Sequence, residues 1–326
     1  MIWKTLVLAP LLTVLVLMLA LVFGGPGAPP PPEPGKGPMD AVDFRDLPAL
    51  LHYPADDGSA LAYRHYPPAN AAAKGSVVVL HGSTSHGKTM HVLCKALAAA
   101  AYHCYALDIR GHGSSGPLGT VAYVGQLEDD LAAFVKTVPL LRPLTLAGFS
   151  LGGGLALRFA GSQRQDLFQQ YLLLSPFFSR TAPNYRKALN GWAPFGYARN
   201  HVLRLLNWVG VTRFNDLPVV RFGISPQPGE VVTASYSYAL AANFRPWEDY
   251  QTNIRAVHQP VAVVVGTADE AFYADQVEPV LRQQGKSWPV TLLPGIGHLG
   301  LTLDPRATGA VVSVLDQLST LGRPAP

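Results

Sequence analysis

Alternation of apolar strand patterns with helical patterns is the feature of this sequence that most restricts its fold. The predicted strands are short and apolar, and they cover residues 60–66, 76–80, 103–107, 144–147, 171–174, 261–265 and 290–293. The predicted helices cover residues 92–101, 127–138, 151–160, 275–284 and 310–318. Apolar strands separated by helices predict a mainly parallel α/β sheet with helices on both faces. Ligands bind such sheets beyond the carboxyl ends of the strands.

The N-terminal segment, residues 1–24, is set apart by its composition. Residues 5–23 carry no charged side chain, and as a helix they would extend about 28 Å, close to the thickness of a hydrocarbon core. We therefore expect an N-terminal transmembrane helix that is retained as a membrane anchor, and a cleaved signal peptide is the alternative. Lys4 and the α-amino group precede this segment, so the positive-inside rule predicts that the rest of the chain lies outside the cytoplasm, on the periplasmic or extracellular side.

A linker rich in proline and glycine follows at residues 25–41 and is predicted to act as a semi-rigid spacer. The folded domain is then expected to begin near Val42. A net charge of +4 without any run of Lys or Arg gives no reason to expect a nucleic-acid partner. The two cysteines, Cys94 and Cys104, exclude a disulfide framework. We expect two buried thiols, and a disulfide in an exported chain is the alternative.

A candidate nucleophile lies at residues 148–152, which read Gly-Phe-Ser-Leu-Gly and fit the pattern G-x-S-x-G. The pattern falls between a predicted strand and a predicted helix, as a nucleophile elbow requires. Glycines are needed there because the turn is tight and its backbone approaches neighbouring strands. Ser150 would then sit at a helix N-terminus, where the Leu151 amide and the helix dipole can stabilise an oxyanion.

A serine hydroxyl needs a base to remove its proton. His298 follows the end of a predicted strand, and so does Asp269. With Ser150 they give the chain order Ser, Asp, His that α/β-hydrolases use. We predict that His298 is the general base and that Asp269 orients it, with Glu270 and Asp275 as alternative acids.

Two phosphate-binding patterns compete with this interpretation. Residues 82–89 (GSTSHGKT) fit GxxxxGK[ST] between a strand and a helix, and Asp108 ends another strand, so a P-loop nucleotide hydrolase is the main alternative. Residues 295–300 fit GxGxxG, but a dinucleotide site needs a further strand, and none is clear in the residues that follow. No metal-ligand spacing such as HExxH or CxxC occurs, so no metal or cofactor is predicted.

The chain resembles the α/β-hydrolase superfamily, and within it the monoacylglycerol-lipase and lysophospholipase-like group. The resemblance covers residues 50–321 and includes His-Gly-Ser at 81–83 and Asp-Ile-Arg-Gly-His-Gly-Ser at 108–114. It implies an oxyanion hole formed by the backbone N–H groups of Ser83 and Leu151, and it implies no cofactor.

The resemblance also implies a division of the chain. The hydrolase core would comprise residues 42–178 and 248–326, and a cap inserted after the sixth strand would comprise residues 179–247. His81 and His112 would be structural. Because this fold hosts many reactions, a non-catalytic binding module on the same fold is a further alternative.

The predicted cap contains eight Lys or Arg against two acidic residues, together with many aromatics. Such a surface suits contact with anionic lipid headgroups, although a small helical subdomain with a solvated basic face would look the same. We expect a serine hydrolase that acts at a membrane. Its substrate would be a small-molecule ester or a monoacyl lipid, such as a monoacylglycerol or a lysophospholipid.

Overall fold

The computed structural model describes residues 2–31, 37–68, 72–224 and 231–321, and in them an eight-stranded sheet is surrounded by helices. The strands are β1 (Leu50–Pro54), β2 (Ala60–Tyr66), β3 (Gly75–Leu80), β4 (Tyr102–Leu107), β5 (Leu144–Phe149), β6 (Gln170–Leu174), β7 (Pro218–Arg221), β8 (Ser235–Ser237), β9 (Val261–Gly266) and β10 (Val290–Leu293). The helices are α1 (Ile2–Phe23), α2 (His91–Ala99), α3 (Gln126–Thr137), α4 (Leu151–Ala160), α5 (Leu189–Trp192), α6 (Tyr197–Trp208), α7 (Tyr238–Asn243), α8 (Tyr250–Ala256), α9 (Val277–Gln283), α10 (Gly300–Leu303) and α11 (Pro305–Leu321).

The main sheet has the order β1-β2-β4-β3-β5-β6-β9-β10. Only the pairs β1–β2 and β2–β4 are antiparallel, and all other neighbours in the sheet run parallel. The prediction of a mainly parallel sheet is confirmed. Strand β1 was not predicted, because four of its five residues are exposed or only half-buried and it shows no long apolar run.

Both faces of the sheet are covered, as strand β3 illustrates. Val78 and Leu80 belong to a core that includes side chains of α3, α4, α8 and α9. Val77 and Val79 belong to a second core with side chains of α2 and α11. All four residues are fully buried, which explains why a parallel strand between two helical layers is apolar at successive positions rather than alternately.

The predicted cap lies between β6 and β9, and it contains the helices α5, α6 and α7 and the antiparallel ribbon β7–β8. Backbone hydrogen bonds attach the ribbon region to the core. Thr233 N donates to Thr84 O at 3.1 Å, and Ser237 N donates to Gly119 O at 2.8 Å. The cap is therefore held over the loops that leave β3 and β4.

Helix α1 ends against this cap. The guanidinium of Arg199, in α6, donates from Nε to Leu21 O at 2.8 Å, from Nη2 to Val22 O at 2.6 Å and from Nη1 to Pro218 O at 2.8 Å. The backbone N–H of Arg199 donates to Gly24 O at 3.1 Å. The last carbonyls of a helix need such partners, so one cap arginine ties α1 to the ribbon.

The predicted transmembrane helix is not supported. Residues 5–23 do lie in a helix, but in the part of the chain that the structure describes no helix combines the length and the apolar surface needed to cross a bilayer. The end of α1 is instead hydrogen-bonded to the cap, a long-range contact that the apolar pattern of the segment does not reveal.

The described part of the predicted linker also contacts the cap. A Cβ atom on Gly196 would lie 2.7 Å from the Gly25 carbonyl carbon, and one on Gly223 would lie 3.1 Å from Pro30 O. Glycine at these two cap positions lets the linker backbone approach closely. The linker backbone therefore touches the cap at Gly25 and at Pro30, and residues 32–36 lie outside the described residues.

The expectation of two separate thiols is wrong, because Cys94 and Cys104 form a disulfide. Helix α2 packs on the neighbouring strand β4 and brings the two Cα atoms to 5.5 Å, a usual separation for a disulfide.

Candidate active site

The turn between β5 and α4 carries Ser150 in an unusual backbone conformation, with φ 56° and ψ −118°. The turn is possible only because the residues two positions before and two positions after Ser150, Gly148 and Gly152, have no side chain. A Cβ atom on Gly148 would lie 2.2 Å from Gly152 O, and a Cβ on Gly152 would lie 2.4 Å from His81 O. The glycines of the G-x-S-x-G pattern are thus explained by the close approach of α4 to the end of β3.

The backbone of Ser150 is fixed by the neighbouring strand. Its N–H donates to Leu174 O at 2.9 Å, at the end of β6, and its carbonyl accepts from Phe177 N at 3.0 Å and from Gly154 N at 3.1 Å. The residue is buried apart from its contact with the main cavity. The positive φ angle is therefore maintained by three hydrogen bonds.

Asp269 and His298 meet at the ends of β9 and β10. His298 Nδ1 lies 2.9 Å from Asp269 Oδ2. An ionised carboxylate only accepts hydrogen bonds, so Nδ1 carries a proton, and in the uncharged form of the ring Nε2 would be the acceptor. This tautomer is the one that a general base next to a serine requires.

The carboxylate of Asp269 is fully buried and accepts four hydrogen bonds. Oδ1 accepts from Ala271 N at 2.8 Å and from Phe272 N at 2.9 Å, and Oδ2 accepts from His298 and from Ser175 Oγ, the latter at 2.7 Å. Burial alone would raise the pKa of Asp269. The hydrogen bonds outweigh burial and hold that pKa below its usual value.

Of the three candidate acids, only Asp269 reaches the imidazole. Glu270 Oε2 accepts from the backbone N–H of His298 at 2.8 Å, and exposed Asp275 accepts from Gln276 Nε2 at 3.0 Å. Ser175 was missed by sequence reasoning, because a serine after an apolar strand gives no local sign of which side chain it will contact.

Ser150 and His298 line the same cavity. The imidazole is flanked by the rings of Phe149 and Phe272, with centroid distances of 4.7 and 5.3 Å. Within the described residues no hydrogen bond joins the side chains of Ser150 and His298. In structures without substrate this bond is often long.

The predicted oxyanion hole has the required free donors. Ser83 and Leu151 both line the cavity beside Ser150, and in the described part of the chain neither backbone N–H donates to another protein group. The loop before Ser83 runs close to Ser150, since a Cβ on Gly82 would lie 3.3 Å from Ser150 Cβ. Whether these amides bind an oxyanion stays a prediction.

His81 and His112 lie behind this loop, away from the imidazole of His298. His81 Nε2 accepts from Ile109 N at 3.1 Å, and Nδ1 donates to Gly82 O at 2.8 Å. His112 Nε2 pairs with the Tyr236 hydroxyl at 2.7 Å. Burial lowers the pKa of His81 to about 4 and also lowers that of His112, so both rings are neutral and serve to hold the loop.

The loop 82–89 does not have the arrangement of a P-loop. Gly87 N donates to Asp108 Oδ1 at 2.7 Å, and the ammonium of Lys88 lies 4.2 Å from the centre of the Phe44 ring. A P-loop directs its amides and its lysine at phosphates. Here the amide of Gly87 is used within the protein, and Lys88 is not part of the cavity lining.

The cavity has a volume of about 540 Å³ and is lined mainly by apolar and aromatic side chains. The cap contributes Trp192, Phe195 and Phe222, and Met39 comes from the predicted linker. Sequence reasoning did not anticipate a wall from the linker, because contact between segments far apart in the chain leaves no local pattern. In the described residues no three His, Cys, Asp or Glu side chains come together as a metal site.

Comparison with known proteins gives a family match over most of the chain. The family described as serine aminopeptidase, S33, matches residues 71–302. An uncharacterised protein of Escherichia coli, YnbC, is 34% identical over 91 residues, which are 28% of this chain and 16% of that protein. The monoacylglycerol lipase of Mycolicibacterium smegmatis is 30% identical over 109 residues, which are 32% of this chain and 38% of that protein. The chain thus matches well under half the length of these relatives.

The fold has close counterparts among solved structures. A soluble variant of the monoglyceride lipase of Saccharomyces cerevisiae, in complex with a substrate analogue, superposes with a TM-score of 0.63 at 18% identity. The superposition covers 90% of this chain and all of that one. At this identity the likeness establishes the α/β-hydrolase fold, and the substrate has to be argued from the site.

We predict that Ser150→Ala and His298→Ala each abolish turnover of short p-nitrophenyl esters, because loss of either nucleophile or base costs orders of magnitude in kcat. Steady-state kinetics on purified variants would measure the effect, with circular dichroism as the check on folding. Wild-type rates in Ser150→Ala would show that another residue is the nucleophile.

We predict that Ser175→Ala lowers kcat by about tenfold with little change in KM, because it removes a hydrogen bond to the Asp269 carboxylate but touches no substrate. The pKa of Asp269 should rise toward its usual value. The variant should therefore be less stable than the parent above about pH 4, and the difference should shrink as the pH falls through the low folded pKa of the parent.

Urea unfolding between about pH 3 and 6 would measure this pH dependence. Ser179→Ala is the matched control, since Ser179 lies in the same segment and bonds Thr181 rather than Asp269. A Ser175→Ala enzyme with parental kcat would show that this hydrogen bond does not support the site.

Proposed function

The chain belongs to the serine aminopeptidase S33 family of hydrolases, and we propose that it cleaves carboxylic esters through an acyl-enzyme. The observation that carries the proposal is the pairing of the buried Asp269 carboxylate with the imidazole of His298, which lines the cavity of Ser150. His298 Nδ1 is 2.9 Å from Asp269 Oδ2, which leaves Nε2 free to accept a proton.

In the proposed reaction, Ser150 Oγ attacks the ester carbonyl carbon while His298 Nε2 takes the hydroxyl proton. Asp269 keeps the ring oriented and stabilises the imidazolium. The amides of Ser83 and Leu151 bind the oxyanion of the tetrahedral intermediate. The imidazolium then protonates the leaving alcohol. A water molecule, deprotonated by His298 in turn, releases the acid from the acyl-enzyme.

We infer that the substrates are esters with a single long acyl chain. The cavity is large enough for such a chain, and most of its lining is apolar or aromatic, which suits an acyl chain. The similar proteins named as a monoacylglycerol lipase and a monoglyceride lipase support the same substrate class. Each buried methylene contributes about 0.8 kcal/mol, so a long chain can supply much of the binding free energy.

A non-catalytic binding module on this fold is the weaker alternative. It would not need an imidazole hydrogen-bonded to a buried carboxylate, nor two backbone amides without a protein acceptor beside a serine at a strained turn. Burying such polar groups lowers the stability of the fold, and a protein that only binds a ligand would gain nothing from this arrangement.

We also propose that the enzyme acts at a membrane surface outside the cytoplasm. Apolar side chains of α1 between residues 11 and 23 are exposed, as are Leu205, Trp208 and Val209 at the end of α6. Basic residues of the cap would favour anionic headgroups. The Cys94–Cys104 disulfide suits an oxidising compartment.

We predict that kcat/KM for saturated p-nitrophenyl esters rises with chain length over several carbons up to about C12, measured below the critical micelle concentration. Each methylene that enters the cavity should raise kcat/KM by at most about fourfold, which corresponds to about 0.8 kcal/mol. A profile that is flat or falls from C2 to C12 would eliminate the lipid substrate and leave a general esterase.

We predict that the protein sediments with vesicles containing anionic lipid, and that the double change Leu205→Ser and Trp208→Ser weakens this binding about tenfold by removing apolar contact. The double change Leu118→Ser and Tyr123→Ser is the matched control. Both side chains are 48% exposed, but they belong to the hydrolase core domain rather than to the cap. Protein left in the supernatant with anionic vesicles would contradict the membrane proposal.

A further inference from the structure

Two arginines, Arg180 and Arg245, belong to the mainly apolar lining of the cavity of Ser150. Arg245 follows α7, and its Cα atom would lie 3.6 Å from a Cβ on Gly154, one turn into the helix that begins after Ser150. Its side chain is only 20% exposed. A cation is thus buried close to the start of α4.

The charge of Arg245 is poorly matched by the protein. Its nearest carboxylate oxygen, Glu248 Oε2, is 3.7 Å away, beyond hydrogen-bonding distance, and Glu248 Oε1 is held by Arg204 at 2.8 Å. Within the described residues the Arg245 guanidinium donates no hydrogen bond. A structural arginine in a core normally has such partners, as Arg158 does with Glu128 and Ala242 O.

The surroundings add further positive charge. Burial lowers the pKa of Arg245, Arg180 and Arg158 act in the same direction, and Glu248 and Tyr238 oppose them. Glu270 also lines the cavity, but its carboxylate accepts the backbone N–H of His298 on a different loop. An anion in the cavity would therefore meet an unmatched guanidinium with donors to spare.

We propose that Arg245, with Arg180 beside it, binds an anionic oxygen group of the substrate, so that the preferred ester is a negatively charged monoacyl compound rather than a neutral monoacylglycerol. A guanidinium presents a planar fork of N–H groups that fits a phosphate or a carboxylate in two hydrogen bonds. In a cavity that excludes water this pairing is stronger than at the surface. The inference rests on the proposed ester hydrolysis and specifies its substrate.

The test compares three esters of one acyl length: a monoacylglycerol, the corresponding monoacylglycerol phosphate, and a half-ester whose second group is a carboxylate. We expect the wild type to favour one or both anionic esters by at least tenfold in kcat/KM, and the better of the two identifies the recognised group. In Arg245→Met the preference should fall at least tenfold, and Arg245→Lys should restore part of it. Arg204→Met, which changes an exposed arginine bonded to the same Glu248, should keep the wild-type preference.

A binding measurement makes the result independent of turnover. Calorimetry with octyl phosphate and with octanol should show tighter binding of the phosphate to the wild type, and the difference should be lost in Arg245→Met. Should that variant fail to fold, the comparison of the two ligands on the wild type and on Arg245→Lys decides the question.

Equal rates on neutral and anionic esters, with equal binding of octanol and octyl phosphate, would overturn the assignment of Arg245 and leave ester hydrolysis intact. A wild type that binds octyl phosphate preferentially but hydrolyses no ester would instead contradict the proposed function.

Discussion

The close contact between the start of α4 and the end of β3 is the constraint on which the rest of the site depends. A side chain on Gly152 would collide with His81 O, and a side chain on Gly148 would collide with Gly152 O. This contact forces the sharp turn at Ser150 and places the Leu151 amide next to the loop that carries Ser83. The positions of Ser150 and of the Ser83 and Leu151 amides are therefore set by backbone packing rather than by side-chain rotamers.

The second fixed element is the carboxylate of Asp269, which is buried but accepts four hydrogen bonds. Two of its donors are backbone amides of its own loop, so the loop is shaped around the negative charge. The remaining donors, Ser175 and His298, come from the segments that follow β6 and β10, the strands on either side of β9. The carboxylate thus joins three neighbouring strands, and the orientation of the imidazole follows from the sheet itself.

Features encoded by local patterns were predicted well from the sequence. Ser150, Asp269 and His298 each follow an apolar strand, and parallel strands bring such positions to one edge. Ser175, Arg245 and Met39 could not be assigned to the site, because contacts between distant segments bring them there. The apolar pattern of residues 5–23 correctly predicted a helix but not its contact with the cap, and the spacing of Cys94 and Cys104 gave no sign that α2 packs on β4 at that level.

The attachment of α1 to the cap means that the N-terminal region cannot be removed as if it were an independent tag. A shortened chain beginning at residue 42 would lack Met39, one wall of the cavity. It would also lack the Leu21 and Val22 carbonyls that accept from the guanidinium of Arg199, a buried residue that would keep fewer acceptors beside the ribbon β7–β8. The shortened chain would therefore have a looser cap and an altered cavity, so its substrate preference would differ from that of the chain that includes α1.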